Sequence, residues 1–255
     1  MTIQILVSTM NQTDYHLVEK MNLFADAIVI NQCDKTSKDT FTYNGHTIQW
    51  YNFDERGIGL SRNTALMRAT ADVCIFADDD MVYYDDSLAA VERAFGESAD
   101  SDAIVFNIDK SDAYRSKNVE RLHIWNALKY GTFRLAVKRE EIIKHRISFS
   151  LLFGGGAKYS CGEDTLFIHD CLKAGLRMTS TPEVLGQNTQ GTSTWFSGYN
   201  KKFFFDKGIL YKALSPRCAV LYCFYYAVKH RKMLMRNDVD VKKALSWMIE
   251  GVHSA

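Results

Sequence analysis

The fold turns on one stretch, Val73-Cys74-Ile75-Phe76-Ala77-Asp78-Asp79-Asp80-Met81-Val82. Its first five residues are small or apolar and rich in β-branched and aromatic types, the composition of a strand buried on both faces. The run then ends in three consecutive carboxylates. Neighbouring like charges repel and raise one another's pKa, so the cluster needs a positive partner. A hard divalent cation with oxygen ligands suits it. In open α/β sheets ligands bind beyond the carboxyl ends of the strands, which is where these aspartates would stand. The bland alternative is a solvated acidic turn, and a long apolar strand aimed at the cluster argues against it.

Upstream, Ile3 to Thr9 reads as a first strand that breaks at Asn11. Thr13 or Asp14 can cap a helix with Leu17, Val18, Met21 and Phe24 on its apolar face. Ala27 to Ile30 is a second strand, so the first thirty residues form a βαβ unit with parallel pairing and a right-handed crossover. Lys35 to Thr42 reads as a polar loop and Thr47 to Phe53 as a third strand. Gly57-Ile58-Gly59 then opens a helix through Met67. A dinucleotide fingerprint would need a third glycine where Arg62 stands, so nicotinamide nucleotide binding is not expected. A cation near a helix start is disfavoured by the macrodipole, which makes Arg62 a candidate partner for a phosphate or carboxylate.

Downstream of the aspartates, Asp85 to Ser87 start a helix with Leu88, Val91 and Phe95 facing inward. Ala103 to Ile108 is another buried strand. Arg121 to Lys129 looks helical, Thr132 to Val137 alternates as an antiparallel or edge strand, and Lys138 to His145 is a short helix. Phe153-Gly154-Gly155-Gly156-Ala157-Lys158-Tyr159-Ser160 lacks the spacing of a phosphate-binding P-loop. Three adjacent glycines fit a mobile lid or a close backbone approach. Gly162-Glu163-Asp164-Thr165 begins a helix closed by Gly175, and acids there also suit the helix dipole. Arg177 to Leu185 is the last strand. Residues 201–236 carry nine Lys or Arg and one acid, interleaved with Phe203 to Phe205, Tyr211 and the run Cys218 to Val228. Such a basic, aromatic-rich helical tail reads as a membrane-surface or partner-binding face, or as helices packed on the domain.

Composition closes several routes. A length of 255 residues, 47% apolar and 24% charged, is ordinary for a globular chain with a full core. A formal net charge of +1 argues against nucleic acid as a partner. The cysteines form no CxxC pair and the histidines no HxxxH pair, so reduced thiols are expected and a zinc site is not. No signal peptide or membrane-spanning run is read, so the expected location is cytoplasmic, with peripheral contact at the membrane through the tail.

These parts, in this order, resemble the GT-A glycosyltransferases of family two, the inverting enzymes that build bacterial polysaccharides. The resemblance covers roughly residues 1–200. Ile5-Leu6-Val7-Ser8-Thr9-Met10-Asn11 is similar to that family's first strand and turn, and Gly59-Leu60-Ser61-Arg62-Asn63 to its G-x-s-x-x-R-N segment. Phe76-Ala77-Asp78-Asp79-Asp80 resembles its D-x-D motif, and Gly162-Glu163-Asp164 its E-D motif.

The resemblance implies an α/β fold: a Rossmann-like, mainly parallel mixed sheet flanked by helices, with a helical tail. It implies a catalytic domain over 1–200, with a nucleotide-sugar half at 1–110 and an acceptor half at 111–200, and an extension at 201–255. Asp80 would coordinate Mn²⁺ or Mg²⁺ on the donor diphosphate, and Asp78 the metal or the ribose. Thr9, Asn11, Asp34, Arg62 and Asp79 would complete the donor site, and Asp164 would be the general base. The donor would be a nucleotide sugar, UDP-linked, and the acceptor a glycan or a lipid-linked saccharide. Trp125 or Trp195 could stack on a sugar face. Two departures stand out. Many relatives carry a His after the last strand, where Gly186-Gln187-Asn188-Thr189-Gln190 has none, so either metal affinity would be weaker or side chains such as Thr192 or Ser193 would hold the diphosphate. Asp34 is also shifted from the usual acidic loop.

The rival enzyme is a haloacid-dehalogenase-like phosphatase, since Asp78-x-Asp80-x-Val82 fits its strand-end motif. That nucleophile normally ends the first strand, however, and here other strands and helices precede it. A third reading is a non-catalytic sugar-nucleotide-binding scaffold.

Overall fold

A computed structural model describes residues 1–109, 114–189, 196 and 198–255. From the N-terminus, β1 (Ile3–Met10), α1 (His16–Lys20) and β2 (Asp26–Gln32) form the expected parallel βαβ unit. A hairpin of β3 (Ser37–Tyr43) and β4 (His46–Phe53) follows, then α2 (Ile58–Arg68) and β5 (Val73–Asp78). Next come β6 (Met81–Tyr83), α3 (Ser87–Glu97), β7 (Ala103–Asn107), β8 (Glu120–Arg121) and α4 (Ile124–Ala127). A 3₁₀ turn at Thr132–Arg134 leads into β9 (Leu135–Lys138), α5 (Arg139–Lys144), α6 (Glu163–Lys173), β10 (Met178–Val184) and β11 (Gly186–Asn188). Four helices end the chain: α7 (Lys201–Leu214), α8 (Ala219–Lys229), α9 (Arg231–Arg236) and α10 (Val241–Ser254).

The main sheet has nine strands in the order β3-β4-β2-β1-β5-β9-β7-β10-β8. β4, β2, β1 and β5 run parallel, so the carboxyl ends of all four lie along one edge. β9 is antiparallel to both neighbours. The period-two geometry of strands sorts the core into two layers. Ile5, Val7, Ile75 and Ala77 pack with α1 and α3. Leu6, Cys74 and Phe76 face Ala65 and Leu66 of α2, Ile142 of α5 and Phe167 of α6. A small antiparallel ladder of β6 and β11 brings Asn188 opposite Met81, directly after the aspartates.

Several expectations change. Residues 37–43 are a strand, not a loop. Phe41 and Tyr43 are its partly buried residues that pack on the core, while its Ser, Lys, Asp and Thr positions are mostly exposed, as an edge strand allows. The Asn44–Gly45 turn, with φ of 48° and 82°, closes the hairpin. Of Thr132 to Val137, the first three residues form the 3₁₀ turn and the rest lie in β9, antiparallel as one of the two expectations had it and central, not an edge. The helix expected over Arg121 to Lys129 shrinks to Ile124–Ala127. Leu88 is exposed, and Ala90 and Ala94 share the buried face of α3 with Val91 and Phe95.

In the tail, α7 and α10 cross with backbones in contact. A Cβ at Gly208 would lie 1.9 Å from the Met248 carbonyl oxygen, and one at Gly251 2.1 Å from that of Phe205. Gly208→Ala therefore forces the helices apart. A loss of about 1–3 kcal/mol is expected, typical of overpacking, and thermal melting checks it. An unchanged midpoint would contradict this packing.

Candidate active site

Arg62 is the hub. Gly57, at φ 127°, turns the chain from β4 into α2 and sends Arg62 across the end of β5. Its guanidinium donates from Nη2 to Asp78 Oδ1 at 2.8 Å, and from Nη1 to Asp164 Oδ1 at 2.7 Å and Glu163 Oε1 at 3.4 Å. The residue is 2% exposed and its guanidinium lies 5.3 Å from the Phe149 ring centroid. That ring stacks on Phe167 at 4.0 Å, and both meet Phe76 edge-on, so the arginine rests on an aromatic floor. Asn63 clasps the Phe149 backbone through both N–H and C=O and fixes the same floor. Arg62 thus has carboxylate partners from its own chain.

The cluster is unbalanced, one cation against three acids. Burial alone would lower the Arg62 pKa, but Asp164, Asp78 and Glu163 outweigh it and push the guanidinium higher. Burial, then the Asp164 charge, raises Glu163 to about 7 against the pull of Arg62. Burial also raises Asp78, with Arg62 opposing.

Asp164 sits in the first turn of α6, which Gly162 enters at φ 120°. Its Oδ1 accepts from Arg62 and also from Thr132 Oγ1 at 2.5 Å. Thr132 is fully buried in the turn before β9. Oδ2 has no partner among the described residues, and the side chain stays 27% exposed. The carboxylate is held by one oxygen and open at the other. That arrangement can take a proton.

Asp80 lies in the turn between β5 and β6. Its main-chain carbonyl accepts from Thr189 N at 2.9 Å and Thr189 Oγ1 at 3.0 Å, and Asn188 hydrogen-bonds its carboxylate. Burial first, then Asp78, raises its pKa. Asp80 Oδ1 is buried with no hydrogen-bond partner among the described residues, and an orphaned buried acceptor is costly. A hard cation would satisfy it. Among the described residues no three His, Cys, Asp or Glu side chains converge as a metal cage. Mg²⁺-like ions are commonly held by one or two carboxylates plus substrate phosphates, so Asp80 with Asp78 fits such an ion. Asn188 and Thr189 occupy the place where the sequence lacks a His; Thr192, Ser193 and Trp195 lie outside the described residues.

The other proposed donor residues lie along the same edge. Thr9 donates to Asp79 Oδ2 at 2.6 Å and accepts from Gln12 Nε2 at 2.9 Å. Asn11, at φ 55°, starts the turn after β1. Below it, Asn31 bonds the Gln12 backbone and Asn52 Oδ1, and Asn52 also accepts from Trp50 Nε1. This buried amide network shapes the turn. A cavity of about 230 Å³ lined by Gln12, Asp14, His16, Leu17, Lys20 and Asp79 opens beside it. Asp34 is almost fully exposed and ion-paired to Arg56 at 2.6 Å, apart from the Arg62 cluster. A larger cavity, about 710 Å³, lies near Asp72, Arg139 and Lys144, away from these carboxylates.

The glycine loop approaches its own chain. Gly155 accepts from Ile58 N at 3.0 Å, and a Cβ at Gly154 would lie 2.6 Å from Ile58 Cγ2 and 2.8 Å from Glu163 Cδ. The loop joins the starts of α2 and α6. Trp125 is 82% exposed and stacks on His123, not in the core.

Thr132, Glu163 and the Asn31–Asn52 pair were missed as site residues. Glu163 had an ordinary helix-start explanation, and the others carry no local motif.

The solved structure of S. aureus TarS residues 1–349 in complex with UDP-GlcNAc superposes with a TM-score of 0.62 at 15% identity, covering 84% of this chain and 66% of that one. A further S. aureus TarS structure gives 0.59 at 14% identity, covering 83% of this chain and 39% of that one. The mannosyltransferase PcManGT from Pyrobaculum calidifontis, in complex with GDP-Man and Mn²⁺, gives 0.50 at 15% identity, covering 99% and 73%. The chain thus spans just under two thirds of the first and well under half of the second. At these identities the likeness shows the fold, a GT-A sheet flanked by helices. Curated protein sequences give no match. The family described as Glycosyl transferase family 2 matches residues 26–154, just over half of the chain, across the Arg62 segment and the aspartates. The phosphatase reading falls away, and the chain belongs to glycosyl transferase family 2.

Proposed function

We propose that the chain is an inverting glycosyltransferase, moving a sugar from a UDP-linked donor to a hydroxyl of a glycan or lipid-linked saccharide. The observation that carries this reading is the pairing of Asp78 and Asp164 on one arginine, with Asp164 Oδ2 left open. The two carboxylates come from strands and helices far apart in sequence, and Arg62 ties them to one place. The UDP-GlcNAc and GDP-Man held by the structural neighbours support a nucleotide-sugar donor.

In this reading, Asp164 Oδ2 takes the proton of the acceptor hydroxyl. The freed electron pair on the acceptor oxygen forms the bond to the anomeric carbon, on the face opposite the diphosphate. The bond from that carbon to the diphosphate oxygen breaks, and its electrons leave with the nucleotide. Thr132 and Arg62 keep the carboxylate oriented by holding Oδ1. Asp80 and Asp78 would hold Mn²⁺ or Mg²⁺, which when bound neutralises charge on the departing diphosphate. Thr9, Asn11 and Asp79 would hold the nucleoside side of the donor, with Asp34 at its outer rim.

A panel of nucleotide sugars with Mn²⁺, read as nucleoside diphosphate release, tests the reaction. Metal-dependent release is expected. Phosphate release from simple phosphomonoesters, or donor binding without any turnover after acceptor screening, would overturn it. Asp80→Ala is expected to remove the gain in UDP affinity that Mn²⁺ brings, measured by calorimetry with and without the ion. An undiminished gain would take Asp80 out of the metal site.

A further inference from the structure

Helix α8 is apolar all round, yet half of it is bare. From Cys218 to Val228 the sequence Cys-Ala-Val-Leu-Tyr-Cys-Phe-Tyr-Tyr-Ala-Val carries no charged residue. Ala219, Cys223 and Ala227, spaced by four, form the buried stripe that packs into the cluster with Phe204, Ala244 and Met248. The opposite arc consists of Val220, Leu221, Phe224, Tyr225 and Val228, all exposed, with Leu221 at 66% and Tyr225 at 63%. A helix hydrophobic on every side is normally covered on every side. Clustered exposure of this kind marks an interaction surface.

The surrounding charge indicates the partner. No acidic residue occurs between Asp206 and Asp238. Arg217 precedes the helix, Lys229 ends it, and Arg231, Lys232 and Arg236 follow on α9; all are exposed, as is Met235. Lys229 lies 5.2 Å from the centroid of the Tyr225 ring, placing a cation at the border of the apolar arc. We propose that this face docks on an anionic lipid surface, with the apolar arc entering the headgroup boundary and the cations paired to lipid phosphates. At eleven residues α8 lies in the interface and does not cross it, and no helix among the described residues is long and apolar enough to span a membrane. A second copy of the chain is the weaker occupant. A two-fold contact through this arc would bring the two sets of cations together. The inference rests on this surface alone and not on the reaction proposed above.

The test is co-sedimentation of the full chain with vesicles of phosphatidylcholine, with and without phosphatidylglycerol. Binding is expected only with phosphatidylglycerol present, and is expected to weaken from low to high salt. Leu221→Glu with Phe224→Glu should abolish it without moving the melting temperature or UDP affinity, because both side chains are exposed. Neutralising Lys229, Arg231 and Lys232 together should weaken partitioning roughly a hundredfold. The proposal fails if the chain does not sediment with phosphatidylglycerol vesicles at low salt, or if the double variant binds as well as the parent. It also fails if ultracentrifugation shows a dimer that Leu221→Glu dissolves.

Discussion

Arg62→Met is expected to lower stability by about 3 kcal/mol and to abolish transfer. Removing one partner of a buried ion pair leaves uncompensated charge and costs about 3–5 kcal/mol. The lower figure applies because Asp78 and Asp164 remain 34% and 27% exposed and can be rehydrated. For a chain of this size that loss lowers the melting temperature by roughly 6–12 °C. Arg62→Lys separates the two roles. Lysine keeps the charge, but it offers one point where Nη1 and Nη2 reach Asp164 and Asp78 separately. Stability should be largely restored and transfer should stay low. Wild-type transfer by Arg62→Lys would show that the bridge between the carboxylates is unimportant.

The same cluster fixes a pH dependence. Glu163 is raised from its ordinary 4.5 to about 7, by burial and then by Asp164, so the folded chain binds more protons there than the unfolded chain. Its contribution is fully present below pH 4.5 and is lost as pH rises through 7. Asp78 and Asp80, also raised, act in the same direction. Glu163→Gln should flatten the decline between pH 5 and 8 in chemical denaturation, and an unaltered slope would show that Glu163 ionises normally.

The architecture was legible where the chain alternates apolar strands with amphipathic helices. Ile3 to Thr9, Ala27 to Ile30 and Val73 to Ala77 are buried in the middle of the sheet, and their composition says so. Legibility failed where burial is shared with polar groups. β3 has only Phe41 and Tyr43 to bury, and its real signal was the Asn44–Gly45 turn. Leu88 was assigned inward by spacing, but the small Ala90 and Ala94 let α3 lie close on the sheet with a different face.

At the site, the acids stand in recognisable order along the chain, and their spacing carried the reading. Of the groups that hold them, Arg62 stands in one of the family-like segments and Thr132 in none. Thr132 is one threonine in an alternating run, and only the fold brings it 32 positions forward onto Asp164. Arg62 reads as the partner of a phosphate or a carboxylate because the macrodipole disfavours a cation near a helix start. The anions proved to be three side chains, two of them about a hundred positions away. Long-range ion pairs of this kind leave no local periodicity to read.

Asp164→Asn is expected to reduce transfer by roughly 10²–10⁴, the usual contribution of a positioned acid or base, while UDP affinity with Mn²⁺ stays at the parent value. The substitution keeps shape and volume. The asparagine oxygen can still accept from Thr132 and Arg62, so the α6 start and the Phe149 floor should be undisturbed. The amide nitrogen then takes the Oδ2 position and has no lone pair to accept the acceptor's proton. The loss should therefore fall on kcat, with KM for the donor little changed. Arg62 makes the two outcomes distinguishable. It loses one of its balancing charges in this variant, so Glu163 and Asp78 remain and both ionise more readily against it. Full transfer by Asp164→Asn would remove Asp164 from proton transfer. Loss of UDP affinity instead would make it a donor-site residue and would move the base to another side chain.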